Sequence, residues 1–351
     1  MLPEPPPAAL RLRIDREALA GNWTALDRLS GKARAGAAIK ADAYGLGAAV
    51  AAPVLWDAGA RDFFVAHWLE VPDLLNCVPP PAISVLHGPL DARDAAYALA
   101  TGTKPVINSL HQAQLWLAAG GGLCDLMVDS GINRLGLPLE ALGDEAIARL
   151  EVDLLMSHLA CADDPDHGLN LLQLANFHAM TDGTGLPRSL SATAGILLGP
   201  AFHFDLTRPG IGLYGGRPYE GAARVVTLQL PVIQTRLVAV GEPVGYACTW
   251  VAERPSLIAT VQGGYADGVL RSLSNAALLW AGEDPCPVVG RISMDLITVD
   301  VTHLAAVPEM LTLIGPQQSV DQLADTAGTI GYEILTGLGP RLKRRYLESR
   351  R

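Results

Sequence analysis

The sequence predicts an α/β chain: a (β/α)8 TIM barrel followed by a mostly antiparallel β domain. Up to about residue 215, short apolar runs alternate with longer amphipathic stretches, the pattern of βα units around a parallel sheet. After about residue 223 the texture changes to β-rich runs punctuated by Gly and Pro. The chain's 351 residues suffice for one barrel and a smaller partner.

Eight strand candidates follow in order: AGAAIKA near 35–41, DFFVA at 62–66, AISVLH at 82–87, KPVIN at 104–108, CDLMVDS at 124–130, VDLLMSHLA at 152–160, RSLSAT at 188–193 and FDLTRPGIGLYG around 204–215. The segment GGRPYEGAA at 215–223 is the natural boundary, dividing the chain into a barrel at 1–218 and a β domain at 219–351. In the second part, ARVVTLQLPVIQTRLVAVGEPVGYACTW, SLIATVQGGYADGVL, PCPVVGRISMDLITVDVTHL and EMLTLIG read as β-rich runs. SVDQLADTAGTIGYEILTGL reads as a helix near the end, with Ser319 as its N-cap.

Charge and composition narrow the function. Thirty-six acidic against 26 basic residues leave a net charge of −10, which argues against nucleic acid or an anionic membrane surface as partner. Five cysteines, Cys77, Cys124, Cys161, Cys248 and Cys286, are widely spaced and read as reduced thiols, with no metal framework. The N-terminus, MLPEPPPAAL, lacks the basic start and apolar stretch of a signal peptide, and no apolar run reaches a membrane span, so a cytoplasmic protein is expected.

Only four lysines occur: Lys32, Lys40, Lys104 and Lys343. Lys40 ends an apolar strand where the chain leaves the sheet, at the C-terminal face on which barrels build active sites. The structural reading is a lysine whose stem lies along the strand end and whose head reaches water. The functional one is an amine with a lowered pKa, suited to Schiff-base chemistry with a carbonyl. The loops after the seventh and eighth strands of such a barrel commonly hold a phosphate. Here they offer Thr193-Ala194-Gly195 and Arg208-Pro209-Gly210-Ile211-Gly212. Together these describe a pyridoxal phosphate site, with the aldehyde on Lys40 and the phosphate on Thr193, Gly210 and Ile211.

KADAYGLG at 40–47, DSGINRLG at 129–136, SHLACADDP at 157–165, RPGIGLYG at 208–215, GGYADG at 263–268, GRISMD at 290–295 and GYEILTGLG at 331–339 stand in the order and spacing of the alanine racemases. The chain resembles that family over nearly its whole length. The resemblance implies an enzyme interconverting L- and D-alanine on pyridoxal phosphate, and a homodimer whose active sites are shared between subunits. It makes Lys40 the cofactor's anchor and the acid or base on one face of Cα. Tyr265, from the other subunit, serves the opposite face. Racemisation needs such a pair, because a single base would mostly return the proton to the side it left.

By the same resemblance Arg208 faces the pyridine nitrogen, where it donates a hydrogen bond without fully protonating the ring. His158 packs on the ring. Arg134 bonds the phenolic oxygen and helps hold the substrate carboxylate, and Met294 offers its backbone N–H to that carboxylate from the partner chain. Tyr44 and Tyr214 match positions near the phosphate and barrel mouth. Cationic neighbours and desolvation are expected to lower the pKa of Lys40 and Tyr265, so activity should rise toward alkaline pH.

The chain departs from the family pattern at three places. Met127 stands where the family usually carries a lysine, often carbamylated, whose charge orients the arginine; Arg134 must then be balanced by a bound anion, by another carboxylate, or by nothing. Leu46 replaces the usual His of the first motif, and Ala192 the Asn before the phosphate-binding hydroxyl. Three other readings compete: a racemase that also takes serine or other small amino acids, a barrel-type amino acid decarboxylase, and a pyridoxal-phosphate carrier of low activity. The chain lacks the decarboxylases' Gly-rich phosphate stretch and Cys-containing substrate segment, and it has the β domain that barrel-only carriers lack.

Overall fold

The computed structural model describes residues 9–347, so the N-terminal positions 1–8 weighed above as a signal segment lie outside the described residues. Two compact units emerge. One holds residues 19–214 and 218–222, and the other holds the residues up to Ala18, 215–217 and those from Ala223 onward. The first strand, β1 (Arg11–Asp15), lies in the β-rich unit and not with the barrel, unlike in a division at residue 218. Its alternating RLRID buries Leu12 and Ile14 on one face, and it pairs antiparallel with residues 226–229 and parallel with residues 343–347.

The barrel unit contains β2 (Arg34–Ala35), β3 (Ala37–Ala38), β4 (Phe63–Val65), β5 (Ile83–Val85), β6 (Lys104–Ile107), β7 (Leu123–Met127), β8 (Glu151–Met156), β9 (Arg188–Ser189) and β10 (Leu206–Thr207). Each falls on one of the eight expected segments, with β2 and β3 sharing the first. Strands β3 to β9 form a parallel sheet in sequence order. β10 closes it by pairing parallel with β2, while the Ala192–Arg208 bridge and the bond from Arg208 N to Ser191 O join it to the β9 side. Strands of this kind are buried on both faces, which is why they read as short continuous apolar runs.

Phe64, Val106, Met127, Leu154, Met156 and Leu206 form one buried cluster. They come from strands spread around the sheet, so they meet only across the barrel interior, in the filled-core manner of this architecture. Beside them lies a buried polar group. Lys104 Nζ stands 3.5 Å from Asp125 Oδ1 and 2.5 Å from Asp153 Oδ2, and Ser84 Oγ donates to Asp125 Oδ2 at 2.5 Å. Burial pushes the fully buried Asp125 carboxyl up to about 6, against the pull of Lys104. Burial also works to lower the Lys104 amine, but Asp125 and Asp153 hold it above its ordinary value.

The second unit is built on β11 (Val226–Val238), the longest strand. Its first part pairs with β1 and with β18 (Met310–Ile314), and after a register shift at Val232/Gln234 its end pairs with β14 (Ser256–Gln262). β12 (Pro243–Val244) and β13 (Trp250–Val251) form a small hairpin. β15 (Leu278–Ala281) and β16 (Asp284–Pro287) form another, which joins the sheet at β18. β17 (Leu296–Asp300) lies antiparallel to β14, and β19 (Lys343–Leu347) flanks β1. The expected terminal helix is two helices, Val320–Ala327 and Gly331–Thr336. Ser319 does cap the first, in a box with Gln322. The break falls at Gly328, whose φ of 74° ends the helix in the left-handed conformation glycine accepts. Among the described residues, no helix is long and apolar enough to cross a membrane.

Removing the buried cation should expose the cost of the carboxylate it compensates. Lys104→Met is expected to lower the free energy of urea unfolding at neutral pH by about 3–5 kcal/mol, as for other broken buried pairs. The loss should shrink at pH 5, where Asp125, with a folded pKa of about 6, carries its proton. An equal loss at both pH values would show that Asp125 is not the group left uncompensated.

Candidate active site

Lys40 follows β3 by two residues and begins an unusual stretch. Ala41, Asp42, Ala43 and Tyr44 all have positive φ, at 53°, 54°, 53° and 57°. Four successive non-glycine residues in the left-handed region cost about 1–2 kcal/mol each, so surrounding bonds must hold them. Ala43 N donates to Ile39 O at 2.8 Å, Gly47 N to Asp42 O at 2.8 Å, and Ala48 N to Asp42 Oδ1 at 2.7 Å. The Tyr44 ring lies 4.6 Å from that of Tyr214, whose hydroxyl donates to Ala38 O at 3.0 Å. Leu46, in place of a polar residue, is buried beyond the turn. Burial pushes the Lys40 amine below its ordinary value, and Arg134 and Arg208 add to that against the opposing pull of Glu70.

Arg208 is buried where the chain leaves β10. Its Nη2 donates to Ser157 O at 2.5 Å and its Nη1 to Ser189 Oγ. Burial pushes the guanidinium down to about 10, and the Asp125 charge pulls it back only in part. At neutral pH it remains a cation. His158, at the end of β8, is pushed down to about 3, first by burial and then by Arg208, Arg134 and Lys40. These four residues from the ends of four strands therefore face one region, with His158 neutral among three cationic groups.

Arg134 is exposed and makes no hydrogen bond or salt bridge among the described residues. Met127 does not approach it with charge, since its side chain packs in the interior cluster with Phe64, Val106 and Leu154. Of the three ways to balance Arg134, a carboxylate bonded to it within this unit is not the one used.

Thr193 begins the helix Thr193–Leu197 after β9 and is buried. Its Oγ1 accepts from Gly210 N at 2.9 Å and from Gly212 N at 3.3 Å, so two backbone donors converge on one hydroxyl. Ile211 lies between them at the start of the turn Ile211–Tyr214, also buried. A Cβ at Gly210 would lie 2.3 Å from Tyr44 Oη, and one at Gly212 would lie 2.7 Å from Thr193 Cγ2. Backbone approach this close accepts only glycine. Ala192, where a polar residue was usual, is extended and bridges to Arg208.

In the other unit, Tyr265 and Met294 stand together because β14 and β17 pair antiparallel, with Gln262 opposite Leu296, so the turn after one strand meets the turn before the other. Tyr265 N donates to Ser293 O at 3.1 Å and Ala266 N to Met294 O at 3.0 Å. Both side chains are about half exposed, Tyr265 at 46% and Met294 at 52%. Arg341 clamps the pair of turns: Nε and Nη2 each reach Asp267 at 2.8 Å, and Nη1 reaches Asp295 at 2.8 Å. Gly264 N also donates to the buried Asp267 at 3.0 Å.

The chain matches the family model "Alanine racemase, N-terminal domain" over residues 14–218 and "Alanine racemase, C-terminal domain" over residues 225–346. It belongs to the alanine racemase family. It is 57% identical over 346 residues to an alanine racemase of Cereibacter sphaeroides, covering 97% of this chain and 98% of that protein. To one from Dinoroseobacter shibae it is 53% identical over 346 residues, again 97% and 98% of the two chains. Among solved structures, the alanine racemase from Bartonella henselae with covalently bound pyridoxal phosphate superposes with a TM-score of 0.91 at 36% identity, covering 97% of this chain and 100% of that one. The biosynthetic alanine racemase from Pseudomonas aeruginosa gives 0.90 at 35% identity, over 97% and 99%.

Three residues that bond or face the predicted site residues lie outside the sequence prediction. Asp267 lies inside GGYADG, two residues after Tyr265, where the motif gives no sign of its bonds to Gly264 and Arg341. Arg341 and Glu70 stand in no motif singled out above, and they reach their partners only after folding.

The burial of His158 sets an acid limit on stability. Between about pH 6.5 and pH 3 the unfolded chain takes up a proton that folded His158 refuses, so stability falls with acidification by up to about 1.4 kcal/mol per pH unit. His158→Phe should remove this contribution, making the urea midpoint less sensitive between pH 7 and pH 5 than in the unaltered protein. Unchanged sensitivity would place the acid-labile group elsewhere.

Proposed function

We propose that this protein interconverts L- and D-alanine with pyridoxal phosphate as cofactor, using Lys40 on one face of the substrate and Tyr265 of a second copy on the other. The observation that carries this reading is Lys40: an amine on a strained turn at the C-terminal end of a barrel strand, pushed down by burial and by two arginines. The donors around it suit the cofactor group by group. Lys40 suits an aldehyde, Thr193 with the backbone at Gly210 and Ile211 suits a phosphate, and buried Arg208 suits a ring nitrogen as a hydrogen-bond donor. The glycines at 210 and 212 let this turn pack directly against Tyr44 and Thr193, which holds its amides beside the Thr193 hydroxyl.

When bound, pyridoxal phosphate supplies an aldehyde that captures amines and a ring that accepts electron density from the reacting carbon. Lys40 Nζ takes or returns the α-proton on its side, and its depressed pKa leaves more of the amine unprotonated near neutrality. Tyr265 Oη performs the reciprocal transfer on the opposite side. Arg208, a cation at neutral pH, would hold the ring nitrogen as a hydrogen-bond donor and would not readily give up its proton to it. Arg134, without a protein partner, is available to the substrate carboxylate, and Met294 N–H serves the same group from the second copy. His158, neutral, would pack on the ring without adding positive charge. Tyr44 and Tyr214, in ring contact, would lie on the phosphate side.

The placement of Tyr265 supports a homodimer, since its half-exposed side chain is accessible to a second copy. Ile233, Leu237 and Val240 are exposed apolar residues at the end of β11 and just beyond it, a surface suited to a second copy. The five unpaired thiols suit a reducing compartment, and we place the protein in the cytoplasm.

Incubation with pyridoxal phosphate and L-alanine in deuterated water should give α-deuteration together with loss of optical rotation, faster toward alkaline pH. Deuteration with retained rotation would remove Tyr265 from its role, and carbon dioxide release would point to decarboxylation. Lys40→Ala and Tyr265→Ala should each be inactive alone. Mixed and re-equilibrated, they should recover up to about a quarter of the unaltered activity, because half the dimers then carry one complete site of two. No recovery from the mixture would mean that both groups act from one chain.

A further inference from the structure

Glu70 lies in the turn Trp68–Glu70 that follows β4, outside every group assigned so far. Its Oε1 accepts from Ala41 N at 2.5 Å, and its Oε2 accepts from Ala66 N at 2.6 Å and His67 N at 3.1 Å. Both oxygens are thus committed to backbone amides at two neighbouring strand ends. The first of those amides belongs to the residue directly after Lys40, where the left-handed turn begins. Four residues in that conformation carry several kcal/mol of backbone strain between them. Asp42 ties the far end through Ala48 N, and Glu70 ties the near end.

We propose that Glu70 is the positioning residue for Lys40, fixing the left-handed turn that carries the amine and facing that amine with a negative charge. The inference rests on the catalytic reading of Lys40 given above. The charged groups that face Lys40 are Glu70 after β4, Arg134 after β7 and Arg208 after β10, and the fields of His87 after β5 and His158 after β8 also meet it. His67, in ring contact with His87, completes the set. Glu70 is the only anion among them. Without it, burial and the two arginines act on the amine unopposed, so a protonated Lys40 becomes harder to maintain.

Glu70→Gln keeps the volume and one acceptor oxygen but loses the charge. In the holoenzyme, the rising limb of kcat against pH, which reports the amine once substrate has released it from the cofactor, should move toward acid in Glu70→Gln, with a several-fold fall in the plateau value. Glu70→Asp, which keeps the charge, should return the limb toward its original position. A limb that superimposes on that of the unaltered protein, even with a lowered melting temperature, would overturn the inference and leave Glu70 a purely structural residue. Should Glu70→Gln not fold, hydrogen exchange on the unaltered protein decides: the Ala41 amide must be protected well beyond its exposed neighbours, and rapid exchange there refutes the clamp. Lys40→Ala separates the two readings. If it retains full activity, the catalytic assignment of Lys40 fails; if it is inactive while the Glu70→Gln limb stays put, only the role of Glu70 fails.

Discussion

The constraint on which the site depends is the presentation of one amine, Lys40, from a backbone that an L-amino-acid chain disfavours. The four-residue left-handed turn after it directs the chain away from the strand and brings the Tyr44 ring back against Tyr214. Tyr214 in turn bonds the strand that carries Lys40, at Ala38, so strained turn and aromatic stack are parts of one closed arrangement. Gly210 completes it, because its missing side chain is what admits the Tyr44 hydroxyl. The turn at Gly210 and the segment that carries Lys40 are thereby linked through the same few residues.

The electrostatics are arranged by depth. In the interior, Lys104 is held between Asp125 and Asp153, and Asp125 is the one carboxylate whose charge bears on Arg208. At the strand ends the balance reverses to Lys40, Arg134 and Arg208, with Glu70 opposing them at Lys40. The chain's formal charge of −10 says nothing of this local excess of cations. A neutral His158 fits the arrangement, since a fourth positive charge in that space would have no counter-ion to offset its burial.

Much of this is legible because parallel strands buried on both faces leave continuous apolar runs, as in DFFVA and AISVLH, while RSLSAT is marked more by its spacing than by its apolarity. The first strand is not, because the alternation of RLRID marks a one-faced strand but not its partner, which lies more than two hundred residues away in β11. The terminal helix reads as continuous in sequence because TAGTIG weakens a helix without stating where it stops; the stop is the conformation of Gly328. The site followed the same division. Residues inside motifs, such as Lys40 and Tyr265, could be named, whereas Glu70 bonds an amide 29 positions away and Arg341 a carboxylate 74 positions away, and a single charged residue in a loop carries no sign of either.

Met127 shows how a departure from a family pattern can be read from sequence while its consequence cannot. The missing lysine suggests a deficit at Arg134 that something else must fill. In the structure the thioether completes an apolar cluster with Phe64, Val106, Leu154, Met156 and Leu206, and methionine's flexible shape suits such an irregular gap. A charged group at that position would have to be buried among these side chains, against a desolvation penalty. The interior therefore gains packing where a charge would have been, and Arg134 is left exposed and unpaired, free to spend its hydrogen bonds on a ligand. On the proposed reading of the site, orientation of that guanidinium rests on what binds to it rather than on a partner within the unit.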